Sequence, residues 1–434
     1  MSQTLYVNST RQDKPLPLQN KTCWNDLKRQ VMHKDWTETT LGEIAEVVGG
    51  GTPSTTNPAF WDGEVIWLTP TEVTVLDGKV VSDSVRKITE AGLRGSGARL
   101  LPVGTVILTS RASVGFVALA GTELTTNQGF QSLIPNNDVE SRFLMFWIQY
   151  NRNEFQSRSA GSTFKEISNT NVKSIRINLP SLDEQKRIVD VVSSVDAYID
   201  ALQQQAASAR VARLAVLHEL LSAGGDDWTE TTLGQIASLK NGDRGKNYPS
   251  ANQRTSDGVP FINAGHLVNG KVVLDSMDYI AEETFNLLSA GKIEENDILY
   301  CLRGTVGKFG VVEGINRGAI ASSLVIVRVG KESMTSFICL FLDSAHAKIQ
   351  LDEMRNGAVQ PNLSASSLAS FKVVLPPFVE QERIVGIVSS MDEVIQSTEQ
   401  AVVEAKALRS GLLSDLLSGN HEVPASYDSL LGVA

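Results

Sequence analysis

The chain has 434 residues, 42% of them hydrophobic, and carries a formal net charge of −10. That is more than one ordinary domain and enough apolar matter for real cores. No apolar run reaches the roughly 18–20 residues that span a bilayer. The three cysteines, Cys23, Cys301 and Cys339, are too few for a disulfide scaffold and are not spaced as metal ligands. The acidic balance neither supports nor excludes DNA as a partner. The acid lies mainly in residues 181–227 (−4) and 377–434 (−6), while 36–180 (−2) and 228–376 (−1) are near neutral and 1–35 carry +3.

In chain order, residues 1–34 form an extension that lacks the apolar core of a signal peptide, so a reducing cytoplasm is expected. At Asp35–Gly42 the chain reads "DWTETTLG", and the same eight residues return at Asp227–Gly234, 192 positions later. Other echoes follow. "VILTSRASVG" (Val106–Gly115) aligns with "DILYCLRGTVG" (Asp297–Gly307), setting Arg111 opposite Arg303. "LPSLDEQKRIVDVVSSVDAYI" (Leu179–Ile199) returns 196 positions on as "LPPFVEQERIVGIVSSMDEVI" (Leu375–Ile395), and "HELLSAG" (His218–Gly224) as "SDLLSGN" (Ser414–Asn420). The chain is therefore two units with similar ends and diverged middles.

The middles hold short β-rich runs broken by Gly and Pro. In the first these are "GEVIWLTPTEV", "GTVILTSRASVGFVALAG" and "FQSLIP". In the second they are "VPFINAGHLVNGKVVL", "DILYCLRGTVGKFGVV" and "SSLVIVRVG". Helical stretches follow at Ser141–Arg158 and Met334–Met354, so each middle is read as an α/β lobe. The segment after "LPSLDEQ" has apolar residues at Ile188, Val192, Val195, Ile199, Leu202, Ala206 and Ala209, then Leu214, Leu217 and Leu221. Steps of three and four mark one buried stripe on a long helix, and no Gly or Pro interrupts it before Ala223–Gly225. At 1.5 Å per residue it is a rod of about 60 Å. The second copy repeats the stripe at Ile384, Val388, Met391, Ile395, Val402 and Ala405, ending in Leu412, Leu413, Leu416 and Leu417, with Gly386 and Gly411 weakening it. Two such rods are expected to pack antiparallel, with a lobe at each end of the pair. The expected divisions are 1–34, a lobe at 35–180, helix at 181–226, a lobe at 227–376, helix at 377–420 and a tail at 421–434.

The doubled pattern LP(x)3EQ(x)RIV(x)2VSS(x)D at the head of a long helix resembles the helical regions of Type I restriction-modification specificity subunits. "TTLGEIAEVVGGGTPST" (Thr39–Thr55), "TSRASVG", "TNQGFQSL" (Thr126–Leu133) and "GSTFKEIS" (Gly161–Ser168) resemble motifs of that family's target recognition domains. "GAVQPNLS" (Gly357–Ser364) is the second-lobe counterpart of the last, whereas "LKNGDRGKNYPS" (Leu239–Ser250) departs from the first-lobe start. The resemblance spans nearly all of residues 35–420. It implies two α/β target recognition domains and a pair of long antiparallel helices. Each domain reads one half of a bipartite asymmetric site in double-stranded DNA, and the helix pair sets the spacing. It implies partners as well: two methyltransferase subunits and translocating endonuclease subunits, which would carry S-adenosylmethionine, ATP and Mg²⁺. By that resemblance this chain itself is expected to hold no cofactor or metal and to catalyse nothing.

The residues expected at DNA follow from side-chain chemistry set beside that resemblance. Arg111 and Arg303 suit bidentate pairing with guanine, and Ser113 and Thr305 permit close phosphate approach. Asn127 and Gln128 suit adenine, or merely build a polar turn. Arg244 and Lys246 lie in a basic, Gly-rich loop without the ending of a nucleotide P-loop. Thr52, Ser54, Lys165, Lys308, Gln360 and Asn362 complete the set by position in the motifs. Glu184, Gln185 and Arg187, with Glu380, Gln381 and Arg383, are expected at the partner subunit, with helix capping by the doubled Glu-Gln an equal alternative, because a carboxylate there suits the positive end of a helix dipole. "NPAF" (Asn57–Phe60) approaches an adenine-methyltransferase loop but lacks its second Pro, and no glycine-rich cofactor motif precedes it. The five His residues form no obvious triad. Two rival readings are a two-lobed scaffold that binds protein and a duplicated enzyme with an unrecognised site.

Overall fold

The computed structural model describes residues 36–159, 165–245, 247–355, 362–419 and 421–431. It divides into two compact units. Unit 1 takes residues up to Asp200 and from Val403 onward, and unit 2 takes Ala201–Val402. Each holds one α/β lobe together with a stretch of both long helices.

In unit 1 the strands run β1 (Thr37–Thr40), β2 (Ala45–Gly49), β3 (Trp61–Leu68), β4 (Val80–Val81), β5 (Lys87–Ile88), β6 (Val106–Leu108), β7 (Val117–Ala120), β8 (Thr125–Thr126), β9 (Gln131–Pro135) and β10 (Arg176–Leu179). Five make a sheet in the order β2-β9-β6-β7-β4, and three make a second, β5-β3-β8. Helix α1 (Ser141–Tyr150) buries Phe143, Leu144, Phe146 and Ile148 beneath the larger sheet. "TPTEV", read as part of a strand, turns into a short helix at Pro70–Val75 instead. Thr69 caps it, accepting from the Glu72 backbone while Glu72 accepts back from Thr69 N at 2.9 Å.

The duplicated octapeptide has a definite role. Its "TETT" is β1, which pairs antiparallel with β10, the last strand before the long helix. In unit 2 the second copy, β11 (Thr229–Thr232), pairs in the same way with β22 (Lys372–Leu375). Thr40 and Thr232 then cap one helical turn, with Glu43 and Gln235 reaching back to their N–H groups at 2.9 Å. The repeat is the clasp that closes each lobe.

Unit 2 contains a six-stranded sheet. Its order is β12 (Ala237–Asn241), β21 (Leu324–Val329), β18 (Ile298–Cys301), β19 (Phe309–Val311), β16 (Gly270–Val272) and β15 (Leu267–Val268). A four-stranded sheet runs β13 (Arg254–Thr255), β17 (Tyr279–Ile280), β14 (Val259–Ile262) and β20 (Ala319–Ile320). The α/β expectation holds in both lobes.

The long helices are α2 (Leu182–Ser222, 41 residues) and α4 (Phe378–Leu417, 40 residues). Neither Gly386 nor Gly411 breaks the second. Their antiparallel course is visible inside each unit. In unit 1 the last turns of α4, through Leu413, Leu416 and Leu417, pack with Ile188, Val189 and Val192 of α2. In unit 2 the end of α2, at Leu220 and Leu221, lies against Ile384 of α4.

The stripe departs from expectation at one matched pair of positions. Leu214 is exposed, and Arg213 takes the seam position instead, largely buried. Arg213 pairs bidentately with Asp392 of α4, and its Nη1 donates to Asp343 at 2.9 Å, at the end of lobe helix α3 (Thr335–Asp343). Burial alone would push its pKa down, but the hydrogen bonds to Asp392 and Asp343 outweigh that and hold it above the ordinary value. In unit 1, Arg409 of α4 pairs with Asp196 of α2 and donates to Gln149 of α1 at 3.2 Å. The same clamp, lobe helix to both rods, is thus built twice, with an acid in unit 2 where unit 1 has an amide. Among the described residues no helix is long and apolar enough to cross a membrane.

Candidate nucleic-acid interface

In unit 1 the expected DNA residues lie on four segments stitched edge to edge by backbone hydrogen bonds. The chain leaving β6 is the centre. Ser110 N donates to Gly129 O at 2.7 Å, and Ser110 O accepts from Ile167 N at 3.0 Å. Next along, Arg111 bridges Glu166, and Ala112 N donates to Lys165 O at 3.1 Å. The turn at Ala112 has φ of +59°, and Thr109 Oγ1 accepts from Phe116 N at 3.0 Å, tying the loop's far side. This leaves Arg111 about half exposed, its Nε 2.8 Å from Glu166 Oε1. Ser113 is half-buried beside it, and Lys165 is exposed.

The "GGGTPS" loop joins the other side. Gly51 N donates to Thr126 O at 2.9 Å, and the Thr52 hydroxyl donates to Gln128 Oε1. A Cβ on Gly50 would stand 2.0 Å from Asn127 O, so only glycine permits this approach. Two tryptophans outside the recognised motifs hold the loop from beneath. Trp67 Nε1 donates to Gly51 O at 2.9 Å, and Trp61 Nε1 to Ser54 O at 3.1 Å. Their signal was two Trp flanking one strand in "FWDGEVIW", directly after a Gly-rich loop. Thr52 and Ser54 are exposed on its surface.

One expectation needs revision here. Asn127 Oδ1 accepts from Gly129 N at 2.8 Å, and Gln128 Oε1 accepts from Thr52. Both amide oxygens are engaged in shaping the turn. The polar-turn reading fits Asn127 better than bidentate adenine pairing, which needs the amide's acceptor as well as its donor. Asn57 likewise caps a short 3₁₀ turn through Ala59 N at 3.1 Å, a structural use of "NPAF".

Unit 2 repeats the scaffold. Leu302 N donates to Ser323 O at 2.8 Å, Leu302 O accepts from Leu363 N at 2.9 Å, and Arg303 bridges Asn362. Gly304 at φ +79° replaces Ala112 at the turn. Arg303 is half-buried, with Thr305 and Asn362 exposed beside it. Lys308 is a tether rather than a free cation, because its Nζ donates to Ala264 O at 2.9 Å. Gln360 and Lys246 lie outside the described residues. Arg244 is exposed, and its Nη2 reaches Ser322 O at 3.3 Å.

Asp243, outside the expected set, organises that basic loop. It is buried and accepts from Gly245 N (2.7 Å), Ser289 N (2.8 Å) and Ser289 Oγ (2.9 Å). The backbone hydrogen bond from Gly245, then those from Ser289, hold its pKa below the usual carboxylate value.

The helix-head residues divide. Gln185 is fully buried. Its Oε1 accepts from Glu140 N at 2.8 Å, and its Nε2 donates to Asp138 O and Pro180 O, both at 3.0 Å. Gln381 does the same with Met334 N (2.9 Å), Glu332 O (3.3 Å) and Pro376 O (2.9 Å). The expected partner contact at these two positions is therefore corrected: each Gln pins its lobe helix to the head of its rod and has no surface left. Glu184 is also buried, accepting from Trp36 Nε1 at 3.1 Å. Arg187 is mostly covered and donates to Val423 O at 2.8 Å in the C-terminal tail, with Asp428 3.3 Å away. Glu380 and Arg383 pair with one another on the surface at 2.7 Å. Only these last two remain open to a partner. Among the described residues, no three or more His, Cys, Asp or Glu side chains are grouped to hold a metal ion.

Comparison with known proteins adds a separate line of support. The family model described as the Type I restriction modification DNA specificity domain matches twice, at residues 33–209 and 225–406. The Type I restriction enzyme MjaIX specificity subunit of Methanocaldococcus jannaschii is 28% identical over 421 residues, covering 90% of this chain and 94% of that one. A solved structure concerned with complex assembly and conformational transition of the type I R-M system shares the fold, with TM-score 0.62 and 18% identity. It covers 89% of this chain and 98% of the other. The crystal structure of a Type-I restriction-modification S subunit from M. genitalium superposes with TM-score 0.51 at 17% identity, covering 93% and 98%.

Proposed function

The chain belongs to the Type I restriction-modification DNA-specificity family and is a specificity subunit, and from that premise we propose how its parts divide the work. It is a non-catalytic DNA-recognition component. Each lobe reads one half of a bipartite site in double-stranded DNA through the stitched loops around Arg111 and Arg303. One observation carries this reading: the same three-strand stitch surrounds both arginines, while the side chains around them differ. A shared scaffold with unlike surfaces suits two base sequences read in the same manner.

The helix pair sets the distance between half-sites and docks two methyltransferase subunits, with endonuclease subunits joining the assembly. S-adenosylmethionine, ATP and Mg²⁺ belong to those partners. Glu380 and Arg383 are the helix-head residues on offer to them. The deciding experiment exchanges residues 228–376 for the lobe of a relative and maps methylated bases in the genome. One half of the motif should change and the other persist. Simultaneous change of both halves refutes modular reading. Absence of salt-dependent binding of the assembled complex to duplex DNA would favour the scaffold alternative.

A further inference from the structure

We propose that Arg86 is a DNA-reading residue peculiar to the first lobe, presented edge-on by a stack on Trp61. Its ligand is a planar pair of acceptors, either a guanine edge or two phosphate oxygens. This rests on the DNA-reading assignment above and adds a residue that no motif pointed to.

The guanidinium carbon of Arg86 lies 3.7 Å from the centroid of the Trp61 ring and 5.6 Å from that of Trp67. The two indoles form an edge-to-face pair with centroids 5.0 Å apart, and both are buried. Their N–H groups hold Gly51 O and Ser54 O, so the platform under Arg86 is also the support of the "GGGTPS" loop. A guanidinium stacked on an aromatic face keeps its in-plane N–H groups free and loses little freedom on binding. Arg86 is exposed and has no carboxylate partner among the described residues. Asp83, close by in sequence, is taken by Lys87 at 3.0 Å, and the Glu72 carboxylate accepts from Val85 N at 2.8 Å.

The second lobe supplies the contrast. Trp67 N donates to Arg86 O, and Phe261 N donates to Asp278 O, so Asp278 occupies the place of Arg86. There the charge is reversed and satisfied. Asp278 pairs with Arg254 at 3.0 Å and accepts from Asn263 Nδ2 at 3.0 Å. Arg254 stands farther from its ring, 5.7 Å from the Phe261 centroid. A cation left unpaired on a rigid aromatic platform in one lobe, and neutralised in the other, is a recognition element of that lobe alone.

The test uses the assembled complex with Arg86→Ala and Arg86→Lys, measuring binding to specific and non-specific duplexes across salt concentration. Arg86→Ala should weaken specific binding roughly 5- to 150-fold, and Arg86→Lys should restore little of it. A base contact shows as lost preference at one position of the half-site assigned to the first lobe by lobe exchange. A phosphate contact shows as uniform weakening with a salt slope shallower by about one. Wild-type affinity and salt slope in Arg86→Ala overturn the inference alone. Full rescue by Lys overturns the role of the stacked plane. Absence of DNA binding by the wild-type complex removes the reading on which the inference stands.

Discussion

Replacing Arg213 with Met isolates the clamp between rod and lobe in unit 2. The apolar stem stays in the seam and the charge goes. Two partly exposed carboxylates, Asp343 (36%) and Asp392 (48%), lose a guanidinium that is itself only 15% exposed. With charge centres about 4 Å apart and an effective dielectric of about 20, each pair attracts by about 4 kcal/mol before desolvation. Arginine burial and the acids' contact with water cut this to about 1 kcal/mol per pair, between the range for surface pairs and that for buried ones. Leaving two like charges where one cation sat brings the expected loss to about 2–3 kcal/mol. Arg409→Met in unit 1 uncovers one carboxylate and the amide of Gln149, so about 1–2 kcal/mol is expected there. The assay is hydrogen exchange of amides in 335–343 and 387–398, read as opening free energies. A double-mutant cycle with Asp392→Asn should give a coupling near 1 kcal/mol. Equal losses at Arg213 and Arg409, or a coupling under about 0.3 kcal/mol, would refute this electrostatic account.

Three further outcomes are expected. Arg303→Ala should weaken specific binding by about 1–3 kcal/mol if it reads a base, as should Arg111→Ala in its own half-site, checked on half-site variants of the target. The pKa of Asp243 is lowered in the fold, so its stabilisation is full above the ordinary value of 3.8 and is lost as pH falls through the lower folded value; Asp243→Asn should cost about 1–2 kcal/mol at neutral pH and abolish that acid dependence, measured by exchange of amides in 243–250. A heptad inserted near Gln204 with another near Glu399 lengthens the rods by roughly 10 Å, about three base pairs, and methylation across a spacer library should follow, with some loss of affinity from the added rotation of roughly 100°; an unchanged preferred spacer rules out the rods as the ruler.

The duplication, the two α/β lobes and both rods were determined by the sequence alone, because periodicity and repetition are local properties of the string. The clasp of β1 on β10 was legible as a shared element but not as a pairing, since its two strands stand 138 residues apart at Glu38 and Arg176. Contacts at such separation leave no periodic trace. For that reason Gln185 and Gln381 read as surface residues at a repeated motif, although packing buries them against the backbone of their own lobes. The apolar spacing placed Leu214 in the stripe; only the approach of α4 and α3 gave Arg213 two acids and turned the leucine outward. Arg111 and Arg303 could be named from the repeat, because alignment of one chain with itself fixes their equivalence. Arg86 could not, because its place depends on two indoles brought together by strand β3, and its partner position in the second lobe holds an aspartate. Charge and stacking at an interface are decided by which side chains the fold brings within a few ångströms, and that is a property of tertiary structure.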